Sequence, residues 1–224
     1  MRKRLLLIGL LVVGVALLSG CELLDELIDQ IAGGGTTGVV VDFPDPELEA
    51  AIRVAISKPT GDIHEIDLIG LAFLDAAGID IVNLGGIQYC TNLTELDLRY
   101  NQIVNVSPLA GLTNLTELYL DSNLIVDISP LAGLTNLTEL WLGSNQIVDI
   151  GWLSDLINLT FLDLDKNQIV DIDPLVRNAG IGNGDFVFLT YNNLCLYPGS
   201  PDQLDIEELL SRGVTVGSQY QTCL

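Results

Sequence analysis

Between Leu68 and Leu175 the apolar positions return on a 22-residue beat. One copy runs Leu112, Leu115, Leu118, Leu120, Asn123, Ile125, Ile128, Leu131, and the next runs Leu134, Leu137, Leu140, Leu142, Asn145, Ile147, Ile150, Leu153. A further copy runs Leu156, Leu159, Leu162, Leu164, Asn167, Ile169, Ile172, Leu175, and one step earlier stands Cys90, Leu93, Leu96, Leu98, Asn101, Ile103, Val106, Leu109. A worn first copy reads Leu68, Leu71, Leu74, Ala76, Ile79, Ile81, Leu84, Ile87. Repetition at this length predicts a solenoid, in which each unit buries its apolar edge only against its neighbours. Within a unit, Leu118-Tyr119-Leu120 alternates apolar and polar, the pattern of a short strand with one buried face. Strands one repeat apart then stack in parallel, about 4.8 Å per step.

The recurring asparagines, Asn101, Asn123, Asn145, Asn167 and Asn192, fall where the chain leaves the strand and turns. A short amide there satisfies backbone groups that the turn buries, so they read as structural. Ile79 holds that place in the first copy, which therefore lacks the amide. The return limb, Val106-Ser-Pro-Leu109, Asp127-Ile-Ser-Pro-Leu131 and Asp171-Ile-Asp-Pro-Leu175, puts Pro where only the opening of a helical turn tolerates it. Few residues remain before the next repeat, so a single 3₁₀ turn is predicted rather than an α-helix. Asp127, Asp149 and Asp171 are expected to cap these turns, the alternative being a metal-binding carboxylate column.

These residues spell L-x-x-L-x-L-x-x-N-x-I, the leucine-rich-repeat pattern. Leu134-Thr-Asn-Leu-Thr-Glu-Leu140 followed by Asn145-Gln-Ile-Val-Asp-Ile150 resembles the 22-residue bacterial, internalin-like class. The resemblance covers roughly residues 40–216 and implies an α/β solenoid: a right-handed superhelix with a parallel β-sheet on the concave side and 3₁₀ turns on the convex side. It also implies protein or glycan ligands bound on the concave face. Phe43-Pro-Asp-Pro-Glu-Leu-Glu-Ala-Ala-Ile52 looks like the N-terminal helical cap of many bacterial surface proteins of this kind.

The two ends divide accordingly. Arg2-Lys3-Arg4, the apolar run Leu5 to Leu18, and Leu18-Ser19-Gly20-Cys21 read as a lipoprotein signal peptide over residues 1–20. The run of about 14 apolar residues is short of the ~20 a spanning helix needs. Its last four residues resemble the bacterial lipobox, which implies lipid on the Cys21 thiol and a chain tethered to a membrane through that lipid only. Residues 21–40 form an acidic amphipathic piece and a glycine-rich linker. Residues 41–67 form the N-terminal cap, its helix opened by Asp45-Pro46-Glu47 and stopped by Lys58-Pro59. The repeats fill 68–177, and 178–224 hold a last strand and a mixed C-terminal cap. There the spacing stretches to 25 residues, Ser200-Pro-Asp-Gln203 forms a capping box, Gly213 ends the helix and Val214-Thr-Val216 offers one more strand.

The formal charge is −21. Loss of residues 1–20 removes three basic residues and no acid, leaving six basic and 30 acidic residues and a charge of −24. Such a charge repels nucleic acid and anionic lipid and favours basic or cation-bridged partners. With one histidine, His64, in a loop or cap, no nucleophilic set or zinc site can be assembled, so neither enzymatic activity nor a cofactor is expected.

Strand alternation sends a defined set of side chains to the concave face: Glu95, Asp97 and Arg99; Glu117, Tyr119 and Asp121; Glu139, Trp141 and Gly143; Phe161, Asp163 and Asp165. Phe73, Asp75 and Ala77 flank them on one side, and Phe186, Phe188 and Thr190 on the other. The glutamates form a like-charged column, which is mildly destabilising and brings no evident structural benefit. Tyr119 and Trp141, ringed by carboxylates, suit a protein with a basic surface, gripped by a monomer, the alternatives being a surface glycan or cell wall as ligand and a mainly architectural role in the envelope. Asn92, Asn114, Asn136 and Asn158 each begin a formal glycosylation sequon, whose strict spacing marks it as a product of the repeat.

Of the four cysteines, Cys21 goes to lipid and Cys90 takes a core leucine position. Cys195 and Cys223 remain, in an oxidising compartment, and are expected to form a disulfide. Alkylation of denatured, unreduced protein should therefore leave both unlabelled, and labelling of both would overturn the pairing.

Overall fold

The computed structural model describes residues 38–218. The signal peptide, Cys21, most of the linker and Cys223 lie outside the described residues. The solenoid belongs to the compact unit that begins at Val41.

Each apolar-polar-apolar segment forms a strand of three residues. They are β1 (Phe73–Asp75), β2 (Glu95–Asp97), β3 (Glu117–Tyr119), β4 (Glu139–Trp141), β5 (Phe161–Asp163), β6 (Phe186–Phe188) and β7 (Thr215–Gly217). They make one seven-stranded parallel sheet in sequence order. The register is the repeat itself, with Leu74, Leu96, Leu118, Leu140 and Leu162 side by side. Across the stretched coil Leu162 meets Val187, as the 25-residue spacing predicts. This is a leucine-rich-repeat solenoid. Its core is one continuous cluster from Val41 to Val214, in which the repeat leucines and isoleucines are almost fully enclosed.

Apolar burial of about 1.5–3 kcal/mol per large side chain drives the stacking, but stacking also encloses polar backbone. Three ladders answer that. In the first, each turn asparagine donates from Nδ2 to a carbonyl of the preceding coil and to one of its own, and accepts a backbone N–H of the preceding coil at Oδ1. Asn145 donates to Leu120 O in the preceding coil and Leu142 O in its own, and accepts from Ile125 N, all at 3.0 Å. Asn101, Asn123, Asn167 and Asn192 repeat this arrangement. In the second, Asn92, Asn114, Asn136 and Asn158 donate to carbonyls of the preceding coil at 2.7–2.9 Å. In the third, Thr94, Thr116, Thr138 and Thr160 donate from Oγ1 to the preceding coil's backbone. The Asn-Leu-Thr triplet thus recurs because two of its three side chains tie coils together.

The return limbs form 3₁₀ turns at Ile87–Tyr89, Ser107–Leu109, Ser129–Gly133 and Gly151–Asp155. The last one differs from expectation. Asp173–Arg177 is a short α-helix (α3 in chain order), closed by an Arg177–Asp173 ion pair at 2.7 Å where the two Ser-Pro-Leu limbs have Ala-Gly. Asp127, Asp149 and Asp171 are not N-caps in the strict sense. Each stands one residue earlier and accepts the N–H of the first turn residue, two positions on.

Helix α1 (Pro46–Ala55) buries Leu48 and Ile52. Its N-cap Asp45 accepts Leu48 N–H with one oxygen and both Val82 and Asn83 N–H, at 2.8 and 2.9 Å, with the other. One carboxylate therefore starts the helix and fixes it to the coil without a ladder asparagine. The helix ends at Ala55, before Lys58-Pro59, because Ser57 takes a left-handed conformation at φ 56°. A four-residue helix, α2 (Glu65–Leu68), follows, with His64 at its N-cap.

At the other end α4 (Pro201–Ser211) buries Ile206 and Leu209. Only half of the expected capping box forms: Ser200 Oγ accepts Gln203 N–H, while the Gln203 side chain turns forward to Glu207. The Ser200 hydroxyl donates to Cys195 O and Asp202 accepts Cys195 N–H, fixing the approach to the helix. Cys90 is a free, fully enclosed thiol that burial pushes up to about 12.

Replacing Asn145 by Leu removes the partners of Leu120 O, Leu142 O and Ile125 N at once. At about 1–3 kcal/mol per orphaned buried group, urea unfolding should show a loss of about 3 kcal/mol or more. Gln146→Ala, one residue on and exposed, should change stability by less than about 0.5 kcal/mol.

Candidate functional site

The sheet presents three rows of side chains outward. The register aligns Glu95, Glu117, Glu139 and Phe161 in the first and Asp97, Tyr119, Trp141 and Asp163 in the second. Backbone bonds one residue beyond the strands, such as Tyr100 N to Asp121 O and Ser122 N to Gly143 O, align Arg99, Asp121, Gly143 and Asp165 in the third.

The glutamate column is less idle than its charge alone suggests. Tyr119 donates its hydroxyl to Glu117 at 2.6 Å, and the Trp141 indole N–H points at Glu139 at 3.4 Å. Two of the three carboxylates thus orient the aromatics. Burial and then the neighbouring Glu117, Asp97 and Glu139 carboxylates raise Glu95, as a like-charged column requires.

The aromatics extend beyond the expected pair. Tyr119 and Trp141 lie 5.9 Å apart and tilted, Trp141 stacks on Phe161 at 4.2 Å, and Phe161 reaches Phe186 and Phe188 at 6.3 and 5.5 Å. On the other side Arg99 lies 5.2 Å over the Tyr119 ring. Asp97, expected as an outward contact, is instead 8% exposed beneath the Arg99 guanidinium, which it pairs at 2.5 Å. Asp75, Asp97 and Asp163 each accept the N–H two residues on, so where the second row carries Asp that residue also shapes the strand exit.

Gly143 is easily overlooked as a determinant, because a residue without a side chain offers no chemistry to read. In the structure it makes a gap in the third row. A Cβ placed there would stand 2.9 Å from Asp121 Oδ1 and 3.1 Å from Asp163 Oδ2, so these carboxylates converge above it. The Gly143 N–H donates to Asp121 Oδ1 at 2.9 Å, while Asp121 Oδ2 is enclosed with no hydrogen-bond partner among the described residues. Trp141, Asp121, Asp163, Asp165, Arg99 and Lys166 border a cleft of about 410 Å³ over this gap. Its rim is formed by Tyr100, Ser122, Ser144 and Lys166, all left-handed at φ 55–58°. Each directly precedes a ladder asparagine, and those asparagines hold the turns in place.

Elsewhere, Asp171, Asp202 and Asp205 each bring a carboxylate oxygen within 4.8 Å of the others. Asp202 is already committed to Cys195 N–H. Among the described residues no helix is long and apolar enough to cross a membrane.

Comparison with known proteins agrees with this architecture. The family model for leucine-rich repeats in two copies matches residues 91–133 and 135–177. Internalin H of Listeria monocytogenes is 39% identical over 85 residues, which span 37% of this chain and 15% of that protein. The crystal structure of an internalin (inlF) from Listeria monocytogenes superposes with a TM-score of 0.69 at 32% identity, covering 80% of this chain and 52% of that one. The repeats are similar to those of the internalins. The fold alone is shared with a leucine-rich-repeat protein of Leptospira interrogans, at 23% identity and a TM-score of 0.51 over 62% of this chain and 33% of that one. The chain thus spans only part of the internalins it matches.

On this internalin-like sheet the convergence at Gly143 has an electrostatic consequence. Burial first, and then the Asp163 charge, push the Asp121 carboxyl up to about 6, against the smaller pull of the Gly143 N–H, its own N–H and Arg99. Burial likewise raises Asp163. A carboxyl raised on folding lends stability below its unfolded pKa and loses it as pH rises through the folded value. Asp121→Asn keeps the acceptor for Gly143 N–H and removes the charge. The variant should be more stable than the native protein by about 1–2 kcal/mol at pH 7.5, with the difference shrinking toward zero near pH 4 in parallel denaturation curves.

Proposed function

We propose that the chain is a lipid-anchored, extracytoplasmic binding module of the bacterial cell envelope that grips a protein partner through the outward sheet face. Solenoids of this kind offer one extended surface, and their interiors are filled. The observation that carries the reading is the run from Tyr119 through Trp141 and Phe161 to Phe188, only partly buried among carboxylates. Aromatic anchors within a polar rim are the usual make-up of an interface centre. A formal charge of −24 without residues 1–20 favours a basic partner surface. The anchor rests on the Leu18-Ser19-Gly20-Cys21 resemblance, and the Cys195–Cys223 bridge fits the same compartment.

The test is affinity capture from envelope extract with the native module and with a Tyr119→Ala, Trp141→Ala double variant of unchanged unfolding midpoint. The native module should retain a protein in a salt-sensitive manner, and the variant should weaken retention 100-fold or more. Equal retention by both removes this face from the reading. Salt-insensitive retention released by free sugar would point to a glycan ligand instead.

A further inference from the structure

The sheet face already holds one arginine. Arg99 lies over the Tyr119 ring at 5.2 Å and forks onto Asp97, Nε donating to Oδ1 at 3.0 Å and Nη2 to Oδ2 at 2.5 Å. Two coils on, Gly143 takes the row position of Arg99, so the chain itself supplies no side chain there. The surroundings nonetheless match: Trp141, itself stacked on Phe161, supplies an aromatic wall, and Asp121 and Asp163 converge on the gap from the two neighbouring coils. The enclosed Asp121 Oδ2 lacks a donor among the described residues.

We propose that this cleft receives a single arginine side chain from the partner polypeptide, its guanidinium stacked on Trp141 and forked between Asp121 and Asp163. The inference deepens the protein-binding reading and rests on it. Arginine fits better than lysine because a planar cation can lie on a ring and donate in its own plane to two acceptors, whereas an ammonium is a point charge. It would place a cation between two like charges that otherwise face each other.

The other charged groups bordering the cleft do not compete strongly. Arg99 is committed to Asp97, Asp165 accepts Thr190 N–H at 2.6 Å, and Lys166 stands exposed at the rim. The raised Asp121 carboxyl sets the pH dependence, since protonation below about 6 removes a charge the guanidinium needs.

The probe is acetyl-Gly-Arg-Gly-amide, compared with its citrulline counterpart, which has the same shape without the charge. Each is titrated into the protein while the Gly143 amide and Trp141 indole N–H resonances are followed. The arginine peptide should move both saturably, binding at least fivefold more tightly than the citrulline peptide and at least fivefold more tightly at pH 7.5 than at pH 5. Gly143→Ser, which fills the gap, and Asp163→Asn, which is nearly isosteric, should each weaken it at least fivefold. Equal affinity for citrulline, shifts elsewhere, or shifts that persist in both variants would overturn the proposal. So would calcium chloride alone moving the same resonances with greater affinity, which would mark a cation site. A captured protein that tolerates Gly143→Ser and Asp163→Asn but not Tyr119→Ala, Trp141→Ala would sink the arginine cleft and leave the wider reading standing. One that tolerates all four substitutions would sink the wider reading itself.

Discussion

A chain that crosses its own interior every 22 residues encloses N–H and C=O groups that its short strands cannot pair, and the turn asparagine answers this. An asparagine amide offers two donors and an acceptor on a one-carbon stem. At Asn123 these reach Leu98 O, Leu120 O and Ile103 N, so one side chain closes its own turn and fixes the neighbouring coil. Leucine stacking supplies more free energy, but it is non-directional and would tolerate a slipped coil. The ladder sets the spacing, and the flat rows on the outer face follow from it.

The first coil shows what happens without the amide. Ile79 stands in its place, and Asp45 of the preceding helix reaches across to Val82 and Asn83 N–H. Burial raises that carboxyl, but the N–H groups of Asn83, Val82, Leu48 and Glu47 together outweigh it and leave it lowered. A terminal coil has a neighbour on only one side, so its exposed polar edge needs something other than another coil.

The strands, their parallel order, the ladder and the buried Cys90 were legible because the repeat writes each of them several times. Less legible were features that depend on adjacent coils meeting. Asp97 alternates outward like Tyr119, yet the Arg99 fork covers it. The final return limb reads like its predecessors until Val176-Arg177 makes room for an α-helical turn. The left-handed residues Tyr100, Ser122, Ser144 and Lys166 carry no glycine to announce them, because the asparagine that follows supplies the constraint. Gly143 reads as the least informative member of its row, and its meaning comes from carboxylates 22 and 20 residues away in sequence.

This division bears on where specificity can reside. Within a coil, the leucines, the asparagines and the Asn-Leu-Thr triplet are each tied to a neighbour, so altering one disturbs two coils. The outward rows carry no such obligation except where Asp receives the strand-exit N–H. They are therefore the positions at which residue type can vary without cost to the stack, and the aromatics gather there at β3 to β6. The like charges facing each other across Gly143 do nothing for folding that neutral acceptors would not, since the Gly143 and Asp165 N–H groups need only an oxygen while burial and mutual repulsion oppose the charge on Asp121. A feature that the scaffold does not need and that electrostatics disfavours is better explained by what the face meets than by what it rests on.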